Sequence, residues 1–293
     1  MNKKWATKIE DASTEVDVKL LQWWLSDYLA CPLTHLPLSA CPDRSSEQAF
    51  DQAAARLAKG EPVQYVCGRA PFRELELKVD KRVLIPRPET EQFVQIALDR
   101  LLQPGDRVLD IGTGSGCIAL AIKYARPDCR VEGWDLSEDA LELARENAQK
   151  LKLDVQFRQA DLLTPGPFQN SLAVTGRQLP GQSRRETTRA AAQVELLIAN
   201  LPYIGEKEAD DLPKMVREFE PHMALFSGPD GTDLILKLLE QAKEVLAPGG
   251  HLLLETGENQ GPIWKKAAKA LNWSLEGKKD LAGRERFWIL KAL

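Results

Sequence analysis

Absences narrow this 293-residue chain first. Its five cysteines, Cys31, Cys41, Cys67, Cys117 and Cys129, are odd in number and include no Cys-x-x-Cys pair, so neither a disulfide framework nor a zinc site is indicated. The three histidines, His35, His222 and His251, follow no ligand spacing, which argues against a metal. No apolar run approaches the roughly 18 residues that a membrane span needs. Met1-Asn2-Lys3-Lys4-Trp5 leads into a polar stretch rather than the apolar segment of a signal peptide, so a cytoplasmic chain is expected. Nor is there a basic excess: the formal net charge is −4, without the positive bias of many nucleic-acid binders, and no stable nucleic-acid binding is expected. What is present is a 43% hydrophobic content, ordinary for a globular chain with a substantial core in one large domain or two smaller ones.

Between Val16 and Leu29 the residues Leu20, Leu21, Trp24, Leu25, Tyr28 and Leu29 recur at helical spacing, and Cys31-Pro32 ends the pattern. Ser45 with Gln48 three residues later has the form of a capping box; Phe50, Ala53, Ala54 and Leu57 make an apolar stripe, and Gly60 sits where a helix stops. Residues 1–70 therefore read as a small helical domain. From Phe72 to Ile85 the period becomes two, with Leu75, Leu77 and Val79 alternating against Glu74, Glu76 and Lys78 before Val83-Leu84-Ile85, which predicts a β-hairpin linker over 71–87.

Residues 88–293 alternate. Helices are expected near 89–102, 116–125, 138–151, 232–246 and 260–271, with strands at Arg107 to Ile111, Arg130 to Trp134, Val155 to Arg158, Val194 to Ala199 and His251 to Glu255. That order implies an α/β fold: a doubly wound, mostly parallel sheet. Two last strands, around Trp273 and at Phe287-Trp288-Ile289-Leu290, suggest an antiparallel edge hairpin. The stretch Pro165 to Gln193 lacks periodicity and reads as a flexible insertion. Its Arg177, Arg184, Arg185 and Arg189 outnumber the single Glu186, so contact with an anionic partner such as RNA stands beside plain solvation.

Strand residues Val108-Leu109-Asp110-Ile111 run into Gly112-Thr113-Gly114-Ser115-Gly116 and then an apolar helix. Glycines there permit positive φ and close approach of a ligand to the backbone. The dinucleotide fingerprint would need glycine at Cys117, and no Lys-Ser/Thr follows as a phosphate loop demands. Gly-x-Gly-x-Gly suits S-adenosylmethionine, whose amino-acid end needs backbone contact rather than a diphosphate cradle. Asp135 ends the second strand, where a carboxylate can accept ribose hydroxyls, and Asp161-Leu162 follows the third, where adenine would lie.

The apolar run Val194 to Ala199 delivers Asn200-Leu201-Pro202-Tyr203 to its C-terminal end, where open α/β sheets place ligands. One reading is an Asn-Pro turn closing a buried strand. The other is an acceptor site that holds a planar, weakly nucleophilic NH2 group during methyl transfer. In that reading the Asn200 side-chain oxygen and the Leu201 carbonyl accept its two N–H bonds, and Tyr203 packs against its plane. Glu89, Glu91 and Glu255 would shape the entrance or pair with Arg87, with a structural salt bridge expected for at least one of them.

Several segments together resemble the HemK/PrmC family, the peptide chain release factor N5-glutamine methyltransferases. They are Val83-Leu84-Ile85-Pro86-Arg87-Pro88-Glu89-Thr90-Glu91, the loop Val108 to Gly116, the tetrad, Glu220-Pro221, Ala224-Leu225, Gly228-Pro229-Asp230-Gly231, Leu252-Leu253-Leu254-Glu255 and Asp280-Leu281-Ala282-Gly283-Arg284. The resemblance implies a Rossmann-like, seven-stranded class I methyltransferase domain preceded by a helical domain that docks the substrate. It implies methylation of the glutamine in a release factor's Gly-Gly-Gln motif; separately, a monomer is expected. Gly112, Thr113, Gly114, Ser115, Gly116, Asp135, Leu162 and Asn200 would then surround S-adenosylmethionine, and Asn200, Leu201, Pro202 and Tyr203 would hold the acceptor glutamine. The family usually has proline where Leu201 stands; Asn-Leu-Pro-Tyr is also familiar from adenine dimethyltransferases, which keeps N6-adenine methylation of RNA or DNA as the alternative.

Overall fold

The computed structural model describes residues 3–30, 43–164, 193–258 and 260–293. Four helices open it: α1 (Lys3–Ala12), α2 (Val18–Tyr28), α3 (Arg44–Ala58) and α4 (Val63–Cys67). Trp5, Ile9, Leu21, Trp24, Leu25, Phe50 and Leu57 form their shared core. Helix α1 has no apolar stripe to announce it, because among its described side chains only Trp5 and Ile9, one turn apart, are strongly buried in a polar segment. Helix α3 starts earlier than the Ser45/Gln48 pattern suggested. Asp43 is its N-cap, accepting from the Ser46 N–H at 2.7 Å while the Asp43 N–H donates to Ser46 Oγ at 2.9 Å, so Ser45 lies inside the first turn.

The linker hairpin is shorter than expected and lies further back. It pairs β1 (Arg69–Phe72) with β2 (Leu75–Lys78) antiparallel. Val83-Leu84-Ile85 forms no strand. Its backbone is used otherwise: the Val83 N–H donates to the Asp80 carbonyl, the Val83 carbonyl accepts from Tyr65 Oη, and Pro86 has no N–H to offer a ladder. Val83 and Ile85 are buried with Tyr65, Val79, Ala140 and Leu143.

The larger unit contains β3 (Arg107–Ile111), β4 (Arg130–Asp135), β5 (Gln156–Gln159), β6 (Val194–Ala199), β7 (Leu246–Glu255), β8 (Trp273–Lys279) and β9 (Glu285–Ala292) in the order β5-β4-β3-β6-β7-β9-β8. Strands β3 to β7 are parallel, and β9 pairs antiparallel with both β7 and β8, as the sequence predicts. Alternate strand residues face opposite layers. Val108, Leu196, Ile198 and Leu253 meet α5 (Pro88–Arg100), α6 (Cys117–Ala125) and α7 (Glu138–Leu151) through Phe93, Leu120 and Leu141. Leu109, Leu197 and Leu252 meet α9 (Asp233–Val245) and α10 (Gly261–Ala270) through Leu238, Leu239 and Trp264. Helix α8 (Lys214–Phe219) belongs to the connection after β6. The connection after β3 leads to β4 and the one after β6 leads to β7, to opposite sides of the sheet, which opens a crevice between β3 and β6 at their C-terminal ends. The expected insertion lies outside the described residues apart from Gln193. No described helix is long and apolar enough to cross a membrane.

Candidate active site

The turn after β3 is built on left-handed backbone. Gly112, Gly114 and Gly116 have φ of 70°, 54° and 80°, a region that penalises any Cβ. At Gly116 a Cβ would also meet Leu120 Cδ1 and Phe157 Cζ at 3.1 Å, whereas Gly114 faces open space. The Gly112 and Thr113 N–H groups donate to the Trp134 carbonyl at 2.8 and 3.0 Å. Below them Thr113 Oγ1 donates to Asp110 Oδ2 at 2.6 Å; Asp110 is fully buried, and burial pushes its carboxyl up to about 7. Asp135 Oδ2 accepts from the Gly114 N–H at 2.8 Å and Oδ1 from the Ser137 N–H at 2.9 Å, which fixes the carboxylate plane. Burial holds the Asp135 carboxyl above its ordinary range despite these donors. Ser115 Oγ is buried and, apart from its influence on the Cys117 thiol, has no hydrogen-bond partner among the described residues.

Strand β6 lies directly beside β3, with Ala199 opposite Ile111. The register sets Asn200 and Leu201 against the glycine turn: a Cβ on Gly112 would come within 3.0 Å of Leu201 Cδ2 and 3.9 Å of the Asn200 carbonyl. Leu201 is 4% exposed and belongs to the core below, so its side chain forms the floor between the two motifs. Asn200 Nδ2 donates to Thr90 Oγ1 at 3.2 Å, and Thr90 Oγ1 donates to Glu255 Oε2 at 2.9 Å. Among the described residues none donates to Asn200 Oδ1. The Tyr203 carbonyl accepts from Gln260 Nε2, and Tyr203 Oη accepts from Arg286 Nη1 at 3.3 Å. Arg286 Nε donates in turn to Asp280 Oδ2 at 3.1 Å.

One cavity of about 280 Å³ takes in both motifs. Gly112 to Ser115, Asp135 and Leu162 line it together with Asn200, Leu201 and Pro202; Gly116 supports the turn from behind, and Tyr203 stands outside the lining. Trp134, Leu136, Ala160 and Leu162 give one end apolar walls, while Arg82 and Arg87 bring positive charge to the lining. Leu162 reaches its place with φ of 51°.

The acidic residues differ from expectation. Arg87 pairs with Glu220 at 2.6 Å, because the buried Glu220 carboxylate needs a cation and also accepts from the Ile85 N–H at 3.4 Å. Glu91 accepts from the Arg73 N–H at 3.1 Å, and Glu255 is taken by Thr90. Sequence reasoning missed Thr90, Gln260 and Arg286 as supports of the tetrad. It also missed Asn147, fully buried on α7, which bonds the Lys78 N–H, the Lys78 carbonyl and the Ser115 carbonyl at 2.7, 3.1 and 3.0 Å. A polar residue on the inward face of α7 was the only available signal for Asn147.

Residues 3–68 match the family described as PrmC N-terminal domain, and residues 102–172 match a methyltransferase domain. The chain is 40% identical over 217 residues to the release factor glutamine methyltransferase of Koribacter versatilis (strain Ellin345), covering 73% of this chain and 69% of that protein. It is 32% identical to the release factor glutamine methyltransferase of Staphylococcus aureus (strain NCTC 8325 / PS 47), over 93% of this chain and 88% of that one. The crystal structure of a methyltransferase from Pyrococcus furiosus aligns with TM-score 0.50 at 18% identity, over 85% of this chain and 98% of the other, a likeness of fold.

Proposed function

The chain belongs to the family of release factor glutamine methyltransferases, and from that membership we propose that it methylates N5 of the glutamine in a release factor's Gly-Gly-Gln motif. S-adenosylmethionine, when bound, supplies a methyl group on a positively charged sulfur. The residues present suit it. The open space at Gly114 admits close approach, the unpartnered Ser115 Oγ offers a hydrogen bond, the oriented Asp135 carboxylate has lone pairs left for ribose hydroxyls, and Trp134 and Leu162 wall an apolar end for adenine.

The acceptor end is Asn200 to Tyr203. An amide nitrogen is a poor nucleophile, because its lone pair is delocalised into the carbonyl. In our reading Asn200 Oδ1 and the Leu201 carbonyl accept the two N–H bonds and aim the nitrogen toward the glycine turn. Positive charge develops on that nitrogen during transfer, so these oxygen dipoles stabilise the transition state more than the ground state. Holding the reactants in line supplies further acceleration. No side-chain base is needed, since the proton leaves after transfer. Pro202 stiffens the turn; Tyr203, outside the cavity lining, is held by its hydroxyl through Arg286 and by its carbonyl through Gln260, and its ring would turn inward to pack against the bound amide.

The helical unit at 1–70 docks the release factor, the segment 71–87 joins it to the catalytic unit at 88–293, and the protein acts as a monomer in the cytoplasm without stable nucleic-acid binding. The observation that carries the reading is the convergence of Gly112 to Ser115 and Asn200 to Pro202 on one cavity. Incubation with labelled cofactor and either release factor or RNA, followed by mass spectrometry of the Gly-Gly-Gln peptide, tests it. Methyl on the glutamine nitrogen supports it; methyl on RNA adenine alone would replace it with the adenine reading.

A further inference from the structure

The tetrad's amide is tied to a chain of buried groups that methyl transfer itself does not require. Thr90 and Glu255 are each 2% exposed, contributed by the first turn of α5 and the end of β7. A threonine hydroxyl has one proton. When it is given to Glu255 Oε2, only lone pairs remain toward Asn200, and the carboxamide must present Nδ2 to Thr90. Its Oδ1 is then left for the cavity.

We infer that Thr90 and Glu255 are positioning residues that fix which end of the Asn200 carboxamide meets the substrate, and that proton uptake by Glu255 reverses the setting. A protonated Glu255 donates to Thr90 Oγ1, whose own proton then turns toward Asn200. The carboxamide answers by offering Oδ1 to Thr90 and Nδ2 to the cavity, where a donor faces the substrate's own N–H groups. This deepens the reading above and rests on it.

Burial raises the Glu255 carboxyl to about 7, with Glu89 adding to the rise and the Thr90 hydroxyl, Arg286 and Arg87 opposing it. The Glu255 charge also acts on Tyr203 and Cys117, but burial pushes the phenol and the thiol each up to about 12, so both stay neutral there. The substrate amide does not titrate near neutrality. At saturating cofactor, kcat should therefore fall as pH drops through about 7 with Glu255 ionised in the active form, whereas Asp110, the other carboxyl raised to about 7, lies under the cofactor turn and should act on cofactor Kd.

The test measures kcat against pH at saturating cofactor and release factor, alongside calorimetric cofactor binding. Thr90→Val should lower kcat about 10²-fold with little change in cofactor Kd, the scale of one misaimed group at a reacting centre, and Thr90→Ser should restore most of the loss. Glu255→Gln should remove the acid limb. Unchanged kcat in Thr90→Val, or an acid limb that persists in Glu255→Gln, overturns the inference while leaving the function intact. Cofactor binding retained in Thr90→Val separates a positioning loss from unfolding. A wild-type protein that binds cofactor yet never methylates release factor defeats the underlying reading instead.

Discussion

The two halves of the cavity are stabilised by different kinds of contact. At the glycine turn the supports come from nearer in sequence: the Gly112 and Thr113 N–H groups on the Trp134 carbonyl, Thr113 Oγ1 on the Asp110 carboxylate three residues before it, the Gly114 N–H on the Asp135 carboxylate 21 residues on, and the Asn147 amide on the Ser115 carbonyl 32 residues away. The tetrad hangs on side chains far away in sequence, with Thr90 110 residues from Asn200, Gln260 57 from Tyr203 and Arg286 83 from Tyr203. A local scaffold tolerates changes elsewhere in the fold. A long-range one ties the acceptor site to the correct assembly of α5, β7, β9 and α10, so damage to any of them should appear as lost turnover before lost cofactor binding.

The largest expected break in that contrast is Asn200→Ala. Turnover should fall by about 10²–10³-fold, as when a single preorganised partner of developing charge is removed, while cofactor Kd measured by calorimetry changes little. Equal loss of both would assign Asn200 to the cofactor. Gly116→Ala should do the converse. Its φ of 80° and the 3.1 Å approaches to Leu120 and Phe157 force the turn to move, at about 1–2 kcal/mol for the left-handed backbone alone, so Kd for the cofactor rises about 10-fold. Raising cofactor concentration should then recover most of kcat. Asn147→Ala leaves the Lys78 N–H and the Ser115 carbonyl without their partner, and a denaturant titration should show a loss of about 1–3 kcal/mol. Its cofactor Kd should weaken more than its kcat, since Ser115 belongs to the glycine turn. The smallest effect should come from Arg100→Ala on the exposed pair with Glu276, at or below about 1 kcal/mol and without consequence for either end of the cavity.

The same contrast explains what was legible in the sequence. Alternating apolar runs and glycines identify strands and the turn, because those signals depend on neighbours along the chain; the parallel sheet, the antiparallel edge and the glycine turn all follow. The hairpin's true position was not legible, since Val83-Leu84-Ile85 is as apolar as a strand and only its bonds to Asp80, Tyr65 and Glu220 show that it is none. The cap of α3 was misplaced because Asp43 and Ser45 are both good cap residues, and the choice is made by the Ser46 hydroxyl reaching back. At the site, Arg87 had several acids to choose from in the sequence, and the fold brings it the buried Glu220, 133 residues away. Thr90 stood in a recognisable segment, but its work on Asn200 depends on a meeting of α5 with the end of β6 that no local pattern encodes.

The central claim is geometric, and a crystal structure of the protein with S-adenosylhomocysteine and a Gly-Gly-Gln peptide addresses it most directly. The glutamine nitrogen should lie within hydrogen-bond distance of both Asn200 Oδ1 and the Leu201 carbonyl, facing the sulfur across the glycine turn. A glutamine amide bound elsewhere in the cavity, or one met by Asn200 Nδ2 instead of Oδ1, would contradict it.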